Sequence, residues 1–369
     1  MTNAFFPTEK LLLGPGPSNV SPRVLAALGM PPLGHLDPDF IELMEEVKVL
    51  LRQAFGTNNE VTFPVSGTGS AGMEFTLVNW IEPGDNVLVA INGVFGTRLA
   101  NLADRLGAQT TRLEFPWGDV IDKNQLAQKA EEIKPKIICV VNGETSTGVY
   151  QPMDGLAEIA HDNGALLLAD CVTSLGGMPV NLDVWGVDLA YSGTQKCLSC
   201  PPGLAPVSVS PRAVEVFHQR KTPVPSFYLD LGEILKYVGT GQKRAYHHTA
   251  PVNMIFGLHA ALCEVMEEGI PARIERHRQA AARLIEKVLP LGFEPVVKAE
   301  NRLHPLTTLR LPEGADEAAL RARLLREYRV EVGGGLGPFA GTVWRCGLMG
   351  VNATIRNADT LASCIADVL

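Results

Sequence analysis

A single lysine, Lys196, lies in the stretch "YSGTQKCLSCPPG" (191–203), which carries no other charge. An apolar run typical of a strand precedes it, and the Pro-Pro-Gly at its end stops regular structure. An isolated lysine of this kind is most often a surface residue. A lysine withdrawn from water, however, loses its proton more readily and can form a Schiff base with a carbonyl compound. Lys196 alone leaves both interpretations open.

The glycine-rich segment "SGTGSAG" (66–72) lies between a run typical of a strand and a helical stretch. Free N–H groups at the start of a helix bind anions, and Thr68 and Ser70 would add hydroxyl donors. The segment matches neither the nucleotide P-loop nor the full dinucleotide fingerprint. It is therefore either an anion-binding cup or a tight strand–helix turn.

Two more candidate residues follow apolar runs. Asp170 ends "ALLLAD" (165–170), a position where a plain core residue would be apolar. Its carboxylate could pair with a pyridinium nitrogen, or it could cap the next element. Phe95, in "NGVFG" (92–96), could offer a ring face for stacking or could belong to the core.

Arg345 lies in the apolar run "TVWRCG" (342–347), where an arginine requires a partner. Its planar fork suits a carboxylate, which a substrate could supply. A structural ion pair is the alternative.

These groups together describe a pyridoxal phosphate site. The cup would hold the phosphate, and Asp170 would keep the ring nitrogen protonated. Lys196 would hold the aldehyde as an imine and later move the α-proton of the substrate. Arg345 would hold the substrate carboxylate. The combination is far more specific than any single group.

The elements that position these residues alternate along the chain. The runs typical of strands are residues 61–66, 86–91, 136–141, 165–170 and 187–193. Nearly all-apolar strands separated by helices predict a parallel sheet covered on both faces. Ligands of such open sheets gather at the carboxyl ends of the strands, where the candidates before residue 200 fall. After about residue 250, two long helical stretches and a mixture of short strands and helices predict a smaller α+β unit.

The sequence resembles the class V, fold-type I aminotransferases, and within them the alanine–glyoxylate and serine–pyruvate aminotransferases. The resemblance covers nearly the whole chain. It rests on seven segments: "LLLGPGPSNVSPRVL" (11–25), "VSGTGSAGMEFTLVNWIEPGD" (65–85), "NGETSTGVYQPMDG" (142–155), "LLLADCVTSLGG" (166–177), "YSGTQKCLSCPPG" (191–203), "YHHTAPV" (246–252) and "WRCGLMGVNAT" (344–354).

The resemblance implies a role for each candidate residue. The residues implied in phosphate binding within one chain are Thr68, Gly69, Ser70 and Gln195. Those implied at the cofactor ring are Phe95, Thr145 at the ring hydroxyl, Asp170 at the ring nitrogen, Val172 on the far face and Lys196 as the Schiff-base lysine. Arg345 matches the substrate-carboxylate arginine, and Gly16 lies in the segment that lines the substrate pocket. Tyr246 and Thr249 match residues that reach the phosphate from the other protomer, so the resemblance implies a homodimer with shared active sites.

Two positions depart from the animal alanine–glyoxylate enzymes. Phe95 stands where those enzymes have tryptophan and resembles the serine–glyoxylate enzymes instead. Ser70 stands where they have histidine. Both departures leave the preferred amino donor open.

The expected fold is α/β, with a large, mainly parallel-sheet domain of PLP fold type I and a smaller α+β C-terminal domain. Residues 1–20 are expected to line the substrate pocket. Residues 21–250 would form the large PLP-binding domain and residues 251–369 the small domain.

Composition excludes several classes of protein. The 369 residues carry a net charge of −8 with no basic block, which argues against nucleic acid and anionic membranes as partners. No apolar run approaches 20 residues, and residues 1–10 do not resemble a secretory signal, so we expect a cytoplasmic protein. The Cys197/Cys200 pair has no second pair, and the adjacent His247 and His248 have no evident third ligand, so no metal site is predicted.

The sequence thus predicts PLP-dependent transamination between a small amino acid, alanine or serine, and a small 2-oxo acid, glyoxylate or pyruvate. A serine–glyoxylate aminotransferase is the alternative. A cysteine desulfurase-like lyase is less favoured, because such enzymes typically have histidine where this chain has Gln195. A non-catalytic phosphometabolite-binding protein would explain residues 66–72 but not Asp170, Lys196 and Arg345 together.

Overall fold

The computed structural model of the protein describes residues 7–239 and 244–369. Its strands are β1 (Leu11–Leu12), β2 (Val61–Ser66), β3 (Asn86–Ile91), β4 (Gln109–Glu114), β5 (Ile137–Val141), β6 (Gly143–Glu144), β7 (Val149–Tyr150), β8 (Leu166–Asp170), β9 (Leu189–Tyr191), β10 (Leu204–Val209), β11 (Glu294–Pro295), β12 (Leu306–Arg310), β13 (Val330–Glu331), β14 (Gly333–Gly334) and β15 (Val343–Gly347). Its α-helices are α1 (Pro22–Leu28), α2 (Pro38–Phe55), α3 (Gly69–Val78), α4 (Val94–Arg105), α5 (Lys123–Ile133), α6 (Leu156–Asp162), α7 (Leu182–Trp185), α8 (Pro211–His218), α9 (Leu231–Val238), α10 (Val252–Glu268), α11 (Ile270–Val288), α12 (Glu317–Tyr328) and α13 (Ile355–Val368). Short 3₁₀ turns lie at Leu289–Leu291, Ala299–Asn301, Gly337–Phe339 and Gly350–Asn352.

A seven-stranded sheet in the order β2-β10-β9-β8-β5-β3-β4 forms the larger part of the molecule. The pairs from β9 through β8, β5 and β3 to β4 are parallel, which confirms the predicted mainly parallel α/β fold. Every residue of β5 and β8 is buried, as expected for strands covered by helices on both faces. Strand β10 pairs antiparallel with both β9 and β2, which the apolar pattern did not reveal.

A second sheet, ordered β11-β12-β15-β14, is antiparallel throughout. Its core includes Phe293, Leu309 and Trp344, with apolar side chains from α11 and α13. This arrangement confirms the predicted smaller α+β unit. Strand β1 lies beside β13 in a separate two-stranded pairing, so the segment near the N-terminus is attached to this unit.

Helix α10 belongs to the larger core, although the predicted domain boundary at residue 250 placed it in the smaller unit. Its side chains Ile255, Leu258, Leu262 and Val265 pack with those of the seven-stranded sheet and its helices. The division into domains at residues 20 and 250 stays a prediction. Within residues 7–239 and 244–369, no helix combines the length and apolar character that a membrane crossing needs.

Candidate active site

The candidate site lies at the carboxyl ends of the parallel strands. Asp170 is the last residue of β8 and pairs in register with Val141 of β5 and Tyr191 of β9. Three neighbouring strands therefore end at one level, and the chain that leaves β9 leads directly to Lys196. This is the edge at which ligands of open α/β sheets bind.

Asp170 is only 1% exposed, and both of its carboxylate oxygens accept hydrogen bonds. Oδ1 accepts from the Val172 N–H at 2.9 Å, and Oδ2 accepts from the Tyr191 hydroxyl at 2.5 Å. Burial raises the pKa of Asp170 to about 7, although these two hydrogen bonds act to lower it. A cation placed beside the carboxylate would reverse that shift.

Lys196 is only 8% exposed. It is therefore not a surface residue, which was the alternative considered for it from the sequence. Its Nζ donates a hydrogen bond to the Pro15 carbonyl. Burial lowers the pKa of Lys196 to about 8, and the charge of Arg345 acts in the same direction, against Cys197 and Asp170. The amine is therefore much closer to neutrality at working pH than a solvated lysine.

Gly16 lies directly against this amine. A Cβ at position 16 would come within 2.5 Å of Lys196 Nζ, and the glycine has a φ of +91°, which side-chain-bearing residues rarely adopt. A side chain at position 16 would therefore strain the backbone and displace the lysine amine. Pro15 and Gly16 form one wall beside the lysine.

Arg345 is held at the centre of the small sheet, on β15. Its Nε donates to the Gly334 carbonyl at 2.8 Å, and its Nη1 donates to the Thr145 carbonyl at 3.4 Å. Within the described parts of the chain it forms no ion pair with a carboxylate, so the structural ion pair considered for it is absent. Burial lowers the pKa of Arg345, but a guanidinium stays charged at any working pH. The charge is thus available to an anionic ligand.

Pro15 connects the lysine to the arginine. It accepts the hydrogen bond from Lys196 Nζ, and its ring lies against Gly333, where a Cβ would contact it. The same Cβ would lie 3.6 Å from Arg345 Nη2. Pro15 therefore contacts the lysine amine and lies beside Gly333, which is close to the guanidinium, and the charge of Arg345 acts on the pKa of Lys196.

The start of α3 provides the predicted anion cup. Thr68 is its N-cap residue, but the side chain makes no capping hydrogen bond, and Thr68 and Ser70 are both exposed. Gly69 packs near Gly193 and Val172: its Cβ, if present, would lie 3.5 Å from Gly193 Cα and 3.7 Å from Val172 Cγ2. The helix N-terminus, the chain after β9 and the chain after β8 thus meet at one point.

Gln195 lies beside this cup. A Cβ on Gly193 would approach Gln195 Oε1 to 2.9 Å, so a side chain there would displace the amide. Gln195 Oε1 is buried and has no hydrogen-bond partner among the described residues. An unsatisfied buried polar atom next to a free helix N-terminus fits a site for a polar ligand group.

Thr145 and Phe95 are joined through a residue that the sequence interpretation missed, the fully buried Glu144. Glu144 Oε2 accepts from the Phe95 N–H at 3.0 Å and the Gly96 N–H at 3.4 Å, at the start of α4. Its Oε1 accepts from the Ser146 N–H at 3.0 Å and hydroxyl at 2.6 Å. Burial raises the pKa of Glu144, and all of these donors oppose that shift.

Thr145 itself is buried, and its hydroxyl contacts the hydroxyl of Thr173. Tyr191 and Thr173 were also missed, although both lie inside the quoted segments. Tyr191 carried the same signal as Asp170, a polar group at the carboxyl end of a neighbouring strand. The signal of Glu144 was weaker, because its partners at residues 95 and 96 are distant in sequence.

Tyr246 and Thr249 are not part of this cluster. Both are exposed, Tyr246 by 63%, and the Tyr246 hydroxyl lies 3.4 Å from Thr249 Oγ1. The next residues face inward instead: His247 and His248 bond to each other at 2.8 Å, and His248 Nε2 lies 2.8 Å from Ser66 Oγ, next to the cup.

Within the described ranges, no group of three or more histidine, cysteine or acidic side chains could hold a metal ion. Cys197 and Cys200 are buried free thiols. Burial raises the pKa of each to about 12, so neither is a reactive thiolate.

The described residues fit pyridoxal phosphate. A free helix N-terminus with two exposed hydroxyls suits the phosphate, and the buried Asp170 suits a protonated ring nitrogen. Lys196, with its lowered pKa, suits the aldehyde. Arg345 remains for the carboxylate of a substrate.

Comparison with known proteins agrees with this fit. The family model of class-V aminotransferases matches residues 23–357. An alanine–glyoxylate aminotransferase of Rattus norvegicus is 39% identical over 363 residues, covering 98% of this chain and 88% of the rat protein. An (S)-ureidoglycine–glyoxylate transaminase of Bacillus subtilis is 35% identical, covering 94% of this chain and 88% of that protein. The crystal structure of an alanine–glyoxylate aminotransferase from Nostoc sp. has a TM-score of 0.98 at 45% identity, covering 100% of this chain and 97% of that one. The chain belongs to the class-V aminotransferases, and its cofactor is pyridoxal phosphate.

Proposed function

We propose that the protein transfers the amino group of a small amino acid, alanine or serine, to a small 2-oxo acid, glyoxylate or pyruvate. The rat and Nostoc relatives are named for alanine and glyoxylate, and the Bacillus relative is also named for glyoxylate. These names favour alanine over the serine–glyoxylate alternative as the principal donor activity.

The observation that carries this proposal is that the Lys196 amine and the Arg345 guanidinium lie near each other, on either side of Pro15. Pro15 contacts both the lysine amine and Gly333, which lies beside the guanidinium. The guanidinium has no carboxylate partner among the described residues. Amino donor and oxo acceptor each bring one carboxylate next to the reacting carbon. An amine and a nearby guanidinium that pairs with no carboxylate of the described residues match that shared arrangement.

Bound pyridoxal phosphate supplies an electron-withdrawing ring that stabilises negative charge at the α-carbon. Arg345 binds the substrate carboxylate and so orients the α-carbon toward Lys196. The neutral Lys196 amine takes the α-proton as general base and returns it as general acid. Asp170 holds a proton on the ring nitrogen through its negative charge, and the Tyr191 hydroxyl and Val172 N–H hold the carboxylate in place.

Gly16 lies directly against the reacting amine, because a methyl group at this position would contact the end of the Lys196 side chain. The preference for small amino acids is supported by the relatives' names.

We also infer a homodimer with shared active sites. Tyr246 and Thr249 are exposed on the surface, and their hydroxyls lie close to each other. The rings of Phe227 and Tyr228 pack on the adjacent His247 and His248, and both side chains are also exposed. A second copy covering this surface would bring Tyr246 and Thr249 to its own phosphate site, as the resemblance implies.

A cytoplasmic location stays a prediction. Six of the seven cysteines are buried, and none forms a disulfide, which fits a reducing compartment.

The purified protein tests the proposal directly. A visible absorbance band that borohydride bleaches, while it attaches the cofactor covalently to the chain, would distinguish a cofactor-bound enzyme from a non-catalytic binding protein. A matrix of alanine, serine and cysteine against glyoxylate and pyruvate then measures the activity. Turnover of alanine or serine with either oxo acid is expected. Release of sulfur from cysteine without amino transfer would favour the desulfurase alternative and contradict the proposal.

A further inference from the structure

The first turns of helix α11 connect two loops of the site. The connection is made by Glu268, just before the helix, and by Arg273, Arg276 and His277 on it. One loop is the segment after Lys196, and the other is the turn at residues 350–353, after the strand that carries Arg345. We call this set of four residues the α11 clamp.

Arg273 holds the lysine loop. Its Nη2 donates to the Cys197 carbonyl at 2.7 Å, one residue after Lys196, and the arginine is only 4% exposed. On the other side of the loop, the Ser18 hydroxyl donates to the Lys196 carbonyl at 3.0 Å. Both side-chain bonds hold the backbone that follows the Lys196 Cα, and the Ser18 N–H holds the backbone before it by donating to the Gln195 carbonyl at 2.9 Å.

Arg276 and His277 hold the second loop. Arg276 Nη1 donates to the carbonyls of Gly350 and Ala353, both at 2.8 Å. His277 Nε2 accepts from the Gly350 N–H at 2.9 Å, so its Nδ1 carries the proton that bonds the Arg273 carbonyl at 2.7 Å. Burial lowers the pKa of His277 to about 3, which agrees with this neutral tautomer.

The second loop in turn holds the pocket wall. Asn352 Nδ2 of this loop donates to the Leu12 carbonyl at 2.8 Å. Before the loop, at the end of β15, the Gly347 N–H donates to the Leu13 carbonyl at 2.7 Å. The segment that these bonds secure runs on to Pro15 and Gly16, against the lysine amine. Arg276 thus stabilises the loop that holds the pocket wall at Pro15 and Gly16, and Arg273 stabilises the loop that follows Lys196.

Glu268 joins the two arginines. Its Oε2 accepts from Arg273 Nη1 at 2.6 Å, and its Oε1 accepts from Arg276 Nε at 2.6 Å. Burial acts to raise the pKa of Glu268, but the hydrogen bonds from Arg276 and Arg273 prevail and lower it to about 2. The carboxylate is therefore charged at working pH, and both guanidinium groups are fixed in bidentate or forked geometry.

We propose that Arg273 and Arg276 are positioning residues that control different steps of the reaction. Arg273 places Lys196 for proton transfer and therefore controls kcat. Arg276 places the pocket wall and the end of the Arg345 strand, and therefore controls KM. The proposal rests on the proposed function, because it takes Lys196 as the group that moves the α-proton.

Matched arginine-to-lysine substitutions separate the proposed effect of Arg273 on kcat from that of Arg276 on KM. Lysine keeps the charge but lacks the planar fork, so it cannot serve a carbonyl and Glu268 together. For Arg273→Lys we expect kcat to fall about 10- to 100-fold with KM for alanine nearly unchanged, because a misplacement of about 1 Å has effects of this size. For Arg276→Lys we expect KM to rise about 10-fold with a smaller change in kcat.

The α-deuterium isotope effect is the readout that a purely structural role would not move. With alanine deuterated at Cα, Arg273→Lys should increase the isotope effect on kcat, because proton transfer becomes the slower step. Arg276→Lys should leave it near the wild-type value. Arg278→Lys is the matched control on the same helix, because Arg278 is exposed and pairs with Glu275 alone among residues 7–239 and 244–369. This variant should change none of these constants.

The same measurements can contradict the positioning roles proposed for Arg273 and Arg276. All rates are divided by the cofactor content of each preparation. If both variants lower the melting temperature but keep kcat, KM and the isotope effect of the wild type, the clamp is structural and the proposal is wrong. A wild type that carries no borohydride-fixed cofactor on Lys196 would instead overturn the proposed function.

A second variant covers the case in which Arg273→Lys does not fold. Ser199 Oγ accepts from the Val351 N–H at 2.9 Å and so ties the lysine loop directly to the second loop. Ser199→Ala removes only this bond and should also raise the isotope effect. An unchanged isotope effect in a folded Ser199→Ala protein would contradict the positioning of Lys196 by these contacts.

Discussion

At the scale of single residues, burial shifts the pKa values of the two charged groups at the centre of the site. The same loss of water raises the pKa of Asp170 to about 7 and lowers that of Lys196 to about 8. Their two pKa values thus approach each other, as in sites that carry both an acid and a base. Both residues were predicted from sequence by local signals: Asp170 directly follows a run of apolar residues, and Lys196 is the one charge in residues 191–203.

Replacing the lysine tests its assignment. Lys196→Ala should abolish turnover, while the protein still binds the cofactor non-covalently through the cup. Borohydride should fix the cofactor to the wild type and leave the variant unlabelled, which mass spectrometry of the intact chain would detect. Equal labelling of both proteins would assign the covalent bond to another residue.

The lowered pKa of Lys196 predicts a pH dependence. The amine attacks an aldehyde only when neutral, so attachment of pyridoxal phosphate to the cofactor-free protein should accelerate with rising pH and level off above about pH 8. Removing the nearby positive charge by Arg345→Ala should raise the pKa of Lys196 and so move the midpoint of this pH–rate curve to higher pH. Stopped-flow absorbance measures it, and an unchanged or lower midpoint in the variant would contradict the proximity of the two cations.

Replacing Asp170 tests the electrostatic part of the site. Asp170→Asn keeps an oxygen for the Val172 N–H, and Tyr191 can turn its hydroxyl to accept from the new amide, so the fold should survive. Loss of the charge opposite the ring nitrogen should slow α-proton transfer by about 100-fold or more, the size expected for a preorganised electrostatic contact. A single-turnover rate close to that of the wild type would make Asp170 a structural residue only.

At the scale of elements, the strand ends were predictable and their partners were not. Strands β2 and β3 coincide with the predicted residues 61–66 and 86–91, because their apolar runs end at clear turn signals. The pairing of Asp170 with Tyr191 depends on the register of β8 against β9, which no local pattern contains. The antiparallel direction of β10 likewise depends on tertiary pairing rather than on its own composition.

Helix α4 provides a test at this scale. Its first N–H groups, at Phe95 and Gly96, bond to Glu144, and the same carboxylate fixes Ser146 beside Thr145. Glu144→Gln replaces one acceptor oxygen by an amide that faces other donors, which costs about 1–3 kcal/mol for a buried group.

We expect Glu144→Gln to lower the melting temperature and to weaken cofactor binding, because Phe95 and Thr145 lose a common anchor. Equilibrium titration of the cofactor-free protein with pyridoxal phosphate measures the second effect. Glu114→Gln, on an exposed strand end, is the control. Wild-type cofactor affinity in a destabilised Glu144→Gln protein would limit Glu144 to folding.

At the scale of the whole molecule, the exposed Tyr246 and Thr249 predict that two chains build each site. Lys196→Ala should inactivate the site of its own chain, and Thr249→Asp should place a negative charge by the phosphate of the partner. In a heterodimer of the two variants, one site then collects both lesions and the other is wild type.

The purified heterodimer should therefore recover up to half of the wild-type activity, although each variant homodimer is nearly inactive. If Thr249 serves its own chain instead, both sites carry one lesion and nothing recovers. Wild-type subunits taken through the same mixing provide the control for losses during exchange.

The pairing of the N-terminal segment with the small sheet has a consequence for folding. The bond from Asn352 to the Leu12 carbonyl joins residues 340 positions apart, and β1 joins β13 over a similar span. Contacts of such high sequence separation form slowly, because a long loop must close before they stabilise anything. The wall beside Lys196 cannot be complete until the C-terminal part of the chain has emerged from the ribosome. A nascent chain can therefore assemble the seven-stranded sheet first, and catalytic competence is expected to arise late, as a final step of folding.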